Sequence, residues 1–483
     1  MDPAEFTAGS FINKTHIGDK LKKYFSCENK EQNLNQSNHH ESFYKKMWLV
    51  AVPVVIQNVI SIGLNMIDIL MIGRVGEKEL AAVGSANQIF FIFSMLCFGL
   101  YSGAAVYVAQ YWGTRDITNI KKVIGIDYAV GASFATITFV VAMLFAPNLI
   151  WIFSRDKEVI SLGAEYLRTV CFSYILISIT FVMVYNSRAI QKLKAATIIN
   201  GVAIAINTIL NYCMIYGNFG MPTMGVKGAA LATVIARAVE FISFMIYIYI
   251  HKEHPFHGNF KEFFSFEKIL FKNVMKTAIP VVFTEGGWAA VTSLTFVAYG
   301  MLGATALAVI QIAEVVANLS QAVYFGLGNA TAVIIGESLG RADTKAAFKF
   351  GGMAMKITWG LNITVTILLI ALSRPIAAIY HFNSETTHLL ILVMIAWAFT
   401  TTPKMLAYVL ICGILRAGGD TLYSLIVDLS CNVVIQLSIA FFSVLVLHLP
   451  LYWVVALVAM SDLVKTLICY KRYYSKKWMN IIT

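Results

Sequence analysis

Long runs of apolar residues, separated by short polar segments, make up most of this chain from residue 47 onward. Twelve runs are long enough to cross about 30 Å of hydrocarbon at a rise of 1.5 Å per residue. They cover residues 47–73, 81–112, 124–149, 159–187, 195–217, 227–250, 274–300, 305–338, 350–372, 388–414, 422–447 and 449–470. The pattern predicts an all-α integral membrane protein with twelve transmembrane helices.

Composition and charge agree with this prediction. The 483 residues are 58% hydrophobic and only 13% charged, whereas soluble domains are about a quarter charged. The net charge of +11 lies in short loops and not along one stripe, so we expect no nucleic-acid partner. The tails and the even-numbered loops hold most Lys and Arg, and the positive-inside rule therefore places both termini in the cytoplasm and the protein in the cell membrane.

The two halves of the chain repeat each other. An offset of 227 pairs AVPVV at 51–55 with AIPVV at 278–282 and gives 16 identities over residues 51–116, where composition alone would give about five. An offset of 228 then aligns residues 187–200 with 415–428. This predicts two pseudo-symmetric six-helix lobes.

The predicted organisation is a disordered N-terminal tail at 1–46, an N-lobe at 47–250, a cytoplasmic linker at 251–273, a C-lobe at 274–470 and a tail at 471–483. Because six is even, the repeats have parallel orientation, and the interface between the lobes is the expected substrate cavity. We expect a monomer in the lipid bilayer.

A few charged residues interrupt the apolar runs. A charge at the centre of a bilayer costs at least about 2.5–3.5 kcal/mol, so each such residue needs a cavity, a partner or a proton. The candidates are Asp68, Arg237, Glu285, Glu314, Lys404 and Asp428.

In the N-lobe, Asp68, Asn211 and Thr233 each lie six residues from the outer end of their span, which is about 9 Å. Asn207 lies one helical turn from Asn211 on the same face. A carboxylate with amide and hydroxyl oxygens is suited to a hard cation such as Na⁺, and the carboxylate could instead carry a proton. The alternative is a protonated Asp68 that only fixes helix packing through Asn207.

In the C-lobe, Glu285 is followed by Gly286, Gly287 and Trp288. A carboxylate beside an indole suits a bulky organic cation, although the glycines could also mark a close helix–helix contact. We therefore consider Glu285 and Trp288 candidates for substrate or proton binding.

Lys404 and Asp428 both lie twelve residues from Arg416, at the turn between spans 10 and 11. Equal depth on neighbouring antiparallel helices predicts a buried ion pair, which would be either structural or part of a proton-linked switch. Glu314 lies near mid-depth on span 8, from where it could reach this pair or the cavity.

The chain contains neither the phosphate-loop pattern GxxxxGK[ST] nor the zinc pattern HExxH. We therefore expect a transporter rather than an enzyme, without a cofactor.

Three segments resemble the multidrug and toxic compound extrusion (MATE) family of transporters, and in particular its prokaryotic NorM-like members. They are AVPVVIQNVISIGLNMIDILMIGRVGEKELAAVG, MPTMGVKGAALATVIA and ILRAGGDTLYSLIVD. The resemblance covers residues 47–470 and implies a V-shaped, two-lobed fold that exports amphipathic, often cationic compounds in exchange for Na⁺ or H⁺.

The resemblance also implies roles for single residues. The N-lobe cation site of the family matches Asp68, Asn207, Asn211 and Thr233, and its acidic residue on helix seven matches Glu285. Met405 stands where some members have an aspartate on helix ten, which argues against a second cation site in the C-lobe.

The sequence therefore predicts a secondary antiporter for organic cations or other amphipathic toxins. The alternative is a flippase for lipid-linked saccharides of the same superfamily, which would need several cationic side chains in the cavity to hold pyrophosphate.

Overall fold

A computed structural model describes residues 43–63, 67–379 and 382–482. The chain forms two compact units, Met1–Leu49 and Val50–Thr483. In the first unit, residues 43–49 are described and are helical. Residues 1–42 of the predicted N-terminal tail lie outside the described ranges, and residues 43–46, which we assigned to that tail, belong to the first helix.

Twelve membrane spans account for most of the described chain. Eleven single helices are long and apolar enough to cross a membrane, and a bent helix pair supplies the twelfth. In the first half they are α1 (Phe43–Gly73), α2 (Glu77–Thr114), α3 (Ile117–Trp151), α4 (the pair Lys157–Val170 and Phe172–Ala189, bent by 48°), α5 (Leu193–Tyr216) and α6 (Gly225–Ile250). The prediction of an all-helical membrane protein is confirmed.

The second half repeats this arrangement after a short helix at Phe260–Phe264. Its spans are α7 (Lys268–Gly300), α8 (Ala304–Gly340), α9 (Thr344–Ile379), α10 (Ser384–Leu415), α11 (Thr421–Leu445) and α12 (Leu451–Tyr474). Many helices extend several residues past their apolar runs, because a helix can continue into the polar zone once its first turns are formed.

Polar side chains mark several helix starts. Asp116 accepts a hydrogen bond from the backbone N–H of Asn119 at the start of α3, and Asp156 accepts one from Glu158 at the start of α4. These caps satisfy backbone donors that have no partner within the helix. Seven-residue π-helical segments end α10 at Val409–Leu415 and interrupt α11 at Cys431–Leu437. Such irregular turns often accompany functional sites.

The two lobes pack closely at the end of the bundle that carries the basic loops. A Cβ atom on Gly99 of α2 would lie 2.6 Å from the Cα atom of Val282 on α7, and Gly113 and Gly340 face the backbone of Glu337 and Gln110. Small residues allow this approach of helix backbones. The lobes are therefore closed against each other at the predicted cytoplasmic end.

The C-terminal segment 475–482 covers this closed end. The ring of Trp478 is completely buried, and its indole N–H donates to the carbonyl of Tyr473. Gln110 of α2 donates to the carbonyls of Ala417 and Asn480 and accepts from the N–H of Ile482. The side chain of Gln110 therefore joins the N-lobe to both the C-lobe and the C-terminal segment.

Candidate cation site and central cavity

The structure brings together the four residues predicted to form a cation site in the N-lobe. Asn211 of α5 donates from Nδ2 to Asp68 Oδ1 of α1 at 2.9 Å. With the Asn207 amide oriented so that both of its polar atoms find partners, its nitrogen donates to Asp68 Oδ2 at 3.1 Å and its oxygen accepts from the N–H of Thr233 on α6 at 3.3 Å. Three helices therefore supply one polar cluster around the carboxylate.

This carboxylate lacks a direct cationic partner. Among the described residues, Asp68 has no Lys, Arg or His nitrogen within 4.0 Å, and Arg237 acts on it only at longer range. Asn211 is 2% exposed, and its Oδ1 atom is buried without a hydrogen-bond donor. The cluster thus offers one negative charge and a free acceptor, which a proton or a monovalent cation would satisfy.

The equivalent place in the C-lobe is neutral. The repeat aligns Asp68 with Thr295, which donates to the carbonyl of Val291 and accepts from Gln436 of α11 at 3.1 Å. Met405, where the resemblance places an aspartate in some members, is buried and lines the central cavity. These side chains supply no second carboxylate in the C-lobe for a coupling ion.

Glu285 forms an ion pair that the sequence did not indicate. Its Oε1 atom lies 2.7 Å from the NH2 atom of Arg416, and both side chains are buried. Arg416 also donates to Ser102 of α2 at 2.7 Å, so this pair contacts both lobes. Gly287 faces Leu429 of α11, which supports the packing interpretation of that glycine.

The predicted ion pair between Lys404 and Asp428 is wrong. Asp428 lies 2.7 Å from Lys465 of α12, and the same ammonium contacts Asp462 at 3.1 Å and Asn432 at 2.8 Å. Distance along a helix fixes the depth of a residue, but the direction of its side chain depends on rotation about the axis. Lys404 instead points into the cavity.

A cavity of about 530 Å³ lies between the lobes, within the range typical of drug-sized ligands. It extends from Arg188 and Cys412 near the closed end to Tyr299 and Val455 near the opposite end. Its acidic lining residues are Glu285, Glu314, Asp428 and Asp462, and its basic ones are Arg188, Lys404 and Lys465. Trp288, Phe91, Phe98 and Trp397 add aromatic surface.

Several charged residues were missed: Arg188 lies just past the end of its apolar run, whereas Glu240 and Asp462 lie well inside theirs. Arg188, Glu240, Asp462 and Lys465 all fall within or beside predicted spans. The signal for Arg188 was available, because the offset of 228 aligns it with Arg416. Asp127 is a further omission, and it is 1% exposed and accepts a hydrogen bond from Asn186 at 2.9 Å.

Comparison with known proteins agrees with this architecture. Residues 53–213 and 280–453 match the MatE family profile. A probable multidrug resistance protein NorM of Agrobacterium fabrum is 23% identical over 70% of this chain and 72% of its own length. A probable multidrug resistance protein YoeA of Bacillus subtilis is 21% identical over 84% of this chain and 88% of its own length.

Solved structures show the same fold. A MATE structure in complex with MaL6 superposes with a TM-score of 0.82 at 18% identity, covering 90% of this chain and 97% of that one. An outward-facing multidrug resistance MATE transporter of the MOP superfamily gives the same TM-score and covers 96% of its own chain. With the family profile matched along both lobes, this multi-pass membrane chain belongs to the MatE family and is a transporter rather than an enzyme.

Proposed function

We propose that this protein exports amphipathic, mainly cationic compounds from the cell by antiport with Na⁺ or H⁺, and that Asp68 is the coupling residue. The observation that carries the proposal is the carboxylate of Asp68, which has two amide donors but, within the described part of the chain, no cationic side chain within 4.0 Å. A charge in this position favours uptake of a proton or a cation.

The side chains of this cluster fit a monovalent ion. Rotation of the Asn207 and Asn211 amides would turn two carbonyl oxygens toward the ion beside Asp68, and the hydroxyl of Thr233 would add a third neutral oxygen. One negative charge with neutral oxygens suits Na⁺. A proton on Asp68 could instead donate to the free Oδ1 atom of Asn211.

The position of the cavity supports transport by alternating access. The lobes are closed at the predicted cytoplasmic end, while the cavity extends toward the opposite end. In this arrangement substrate would leave outward while Asp68 takes up its ion. Coupling requires that ion and substrate stabilise different states of the lobes.

The cavity lining supports cationic substrates over a pyrophosphate-linked lipid. Its four acidic residues outnumber its three basic ones, and Lys465 is held by Asp428 and Asp462. A pyrophosphate would need several free cations. Trp288 beside Glu285 offers an aromatic face to an organic cation.

The test is efflux of a fluorescent organic cation from proteoliposomes, driven first by a Na⁺ gradient at equal pH and then by a pH gradient without Na⁺. We expect one gradient to drive transport in the natural protein and neither to drive it in Asp68→Asn. Asp127→Asn is the matched control, because it removes another buried N-lobe carboxylate outside the cavity. If Asp68→Asn transports at the natural rate under the effective gradient, the coupling role is wrong.

A further inference from the structure

Arg188 presents an uncompensated positive charge to the cavity. Its NH2 atom donates to the neutral Oε1 atom of Gln57 at 3.0 Å, and its guanidinium lies 4.7 Å from the ring centre of Tyr185. Its Nε atom is buried without an acceptor. No carboxylate among the described residues lies within 4.0 Å of it. Arginine remains protonated in proteins, so the charge cannot be removed by loss of a proton.

The repeat shows how this charge became uncompensated. Arg188 aligns with Arg416 at an offset of 228, and Glu285, the partner of Arg416, aligns with Asn58 at an offset of 227. Both halves therefore keep the arginine, but only the C-lobe keeps the carboxylate opposite it. Asn58 lines the cavity together with Arg188.

The two arginines line one void of about 40 Å³ that adjoins the main cavity and shares Arg188, Tyr185 and Cys412 with it. Ser102 and Asn329, which the repeat also aligns, line the same void. One water needs about 10–15 Å³ by this kind of measure, so the void has room for a small polar group. Because Glu285 neutralises Arg416, the net charge around the void is that of Arg188.

We propose that Arg188 binds a carboxylate of the substrate at the floor of the cavity and is therefore the residue that distinguishes carboxylate-bearing substrates from plain cations. A single uncompensated charge matches a carboxylate better than a phosphate group, which carries −1.5 to −2. The cationic part of such a substrate faces carboxylates higher in the cavity, such as that of Glu314. This inference rests on the proposed export function and names the residue that recognises one part of the substrate.

The test is equilibrium binding to the purified full-length protein of two dyes of nearly the same shape. Rhodamine B carries a cationic ring system and a free carboxylate, and its ethyl ester carries the cation alone. For Arg188→Gln we expect about 10- to 100-fold weaker binding of rhodamine B, as for the loss of one charged hydrogen bond, with binding of the ester within about twofold of the natural protein. Equal effects on both dyes, or none, would overturn the proposal.

A second variant keeps the arginine and supplies the missing carboxylate. Asn58→Glu reproduces the C-lobe arrangement, and we expect it to weaken rhodamine B binding selectively, as Arg188→Gln does. This variant decides the question if Arg188→Gln does not fold, and unchanged rhodamine B binding in Asn58→Glu would then contradict the proposal. Lys404→Gln is the control for the other exposed cavity cation, and a selective loss confined to that variant would place the carboxylate at Lys404 instead.

Failure of this inference is separable from failure of the coupling proposal. Binding is measured without a gradient. Asp68→Asn should therefore bind rhodamine B and its ethyl ester with the same ratio of affinities as the natural protein, even when it abolishes gradient-driven efflux. If Asp68→Asn transports normally but Arg188→Gln weakens the binding of rhodamine B and not that of the ester, the coupling proposal alone is wrong.

Discussion

The last helix of each lobe carries an acidic and a basic residue three positions apart. The basic residue comes first in α6, whereas the acidic residue comes first in α12. In α6, Glu240 lies 2.7 Å from Arg237 and accepts a hydrogen bond from Asn200 of α5 at 2.8 Å. The carboxylate is therefore the central, buried group of the N-lobe network.

In α12 the central group is a cation. Lys465 lies between Asp462 of its own helix and Asp428 of α11, and the repeat aligns Asp428 with Asn200. The offset of 228 also aligns Arg237 with Lys465, so both lobes keep a cation at this place, while its carboxylate partners come from different positions. The most deeply buried group is Glu240 in the N-lobe network and Lys465 in the C-lobe network. What both lobes keep is a partner for that charge, because a buried ion without one is strongly unfavourable.

Several charges among the described residues break this rule, because they have no opposite charge within 4.0 Å. They are Asp127, Glu314 and Lys404 and, at the cation cluster and at the end of the cavity, Asp68 and Arg188. Asp68 has amide donors only, and Arg188 has the neutral side chain of Gln57. Compensated pairs account for stability, whereas uncompensated charges are available to bind an ion or a substrate. We therefore propose Asp68 and Arg188 as the groups that bind the ion and the substrate, and this proposal can be tested at the compensated sites as well.

The largest expected effect is at the centre of the C-lobe network. Lys465→Met leaves Asp428 and Asp462 without their cation, and we expect a loss of about 3–5 kcal/mol in stability. The measurement is thermal unfolding in detergent. Lys404→Met, which removes a cavity-exposed lysine, should shift the midpoint far less, and equal shifts would refute the distinction between compensated and free cations.

A smaller effect is expected where the lobes meet. The repeat aligns Gln110 with Glu337, and each reaches the opposite half, Gln110 to Ala417 and Glu337 to Gln191. Gln110→Leu leaves the N–H of Ile482 without its acceptor and should cost about 1–3 kcal/mol. Trypsin cleavage at Lys476 and Lys477 should become faster in this variant, and an unchanged cleavage rate would show that the C-terminal segment is held by other contacts.

Arg237→Met tests the N-lobe network. We expect a loss of about 1–2 kcal/mol, less than for Lys465→Met, because Arg237 is 24% exposed and Glu240 keeps its hydrogen bond from Asn200. Thermal unfolding of both variants under the same conditions gives the ranking. A larger loss for Arg237→Met than for Lys465→Met would mean that the number of opposite charges around a buried charge does not set the stability of these networks.

The last effect is confined to acidic pH and concerns the loop between the lobes. His254 is buried beside Phe256 and Tyr247, and burial, with the nearby Lys192 and His251, lowers its pKa to about 4. The unfolded chain binds a proton more readily, so stability should fall as pH drops from about 6.5 toward 4. His254→Phe should remove that part of the pH dependence of unfolding, and an identical profile would show that His254 does not contribute.

Much of the fold could be predicted from hydrophobic runs and self-similarity. The cluster around Asp68 was also predictable, because three residues at equal depth on helices of one lobe have few other places to meet. The pairing of Asp428 was not, since Lys465 lies on α12 and equal depth with Lys404 gave no information on helix rotation. The ion pair of Glu285 with Arg416 was missed for the same reason.

The sequence by itself determined that the chain crosses a membrane, that its two halves are repeats and that few charges lie within the spans. These properties follow from hydropathy and spacing, which act locally along the chain. Tertiary structure alone decided which charges are compensated, because that depends on side chains brought together from different helices. Among the described residues, Asp68 and Arg188 lack the opposite charge that packs against Glu285 or Lys465.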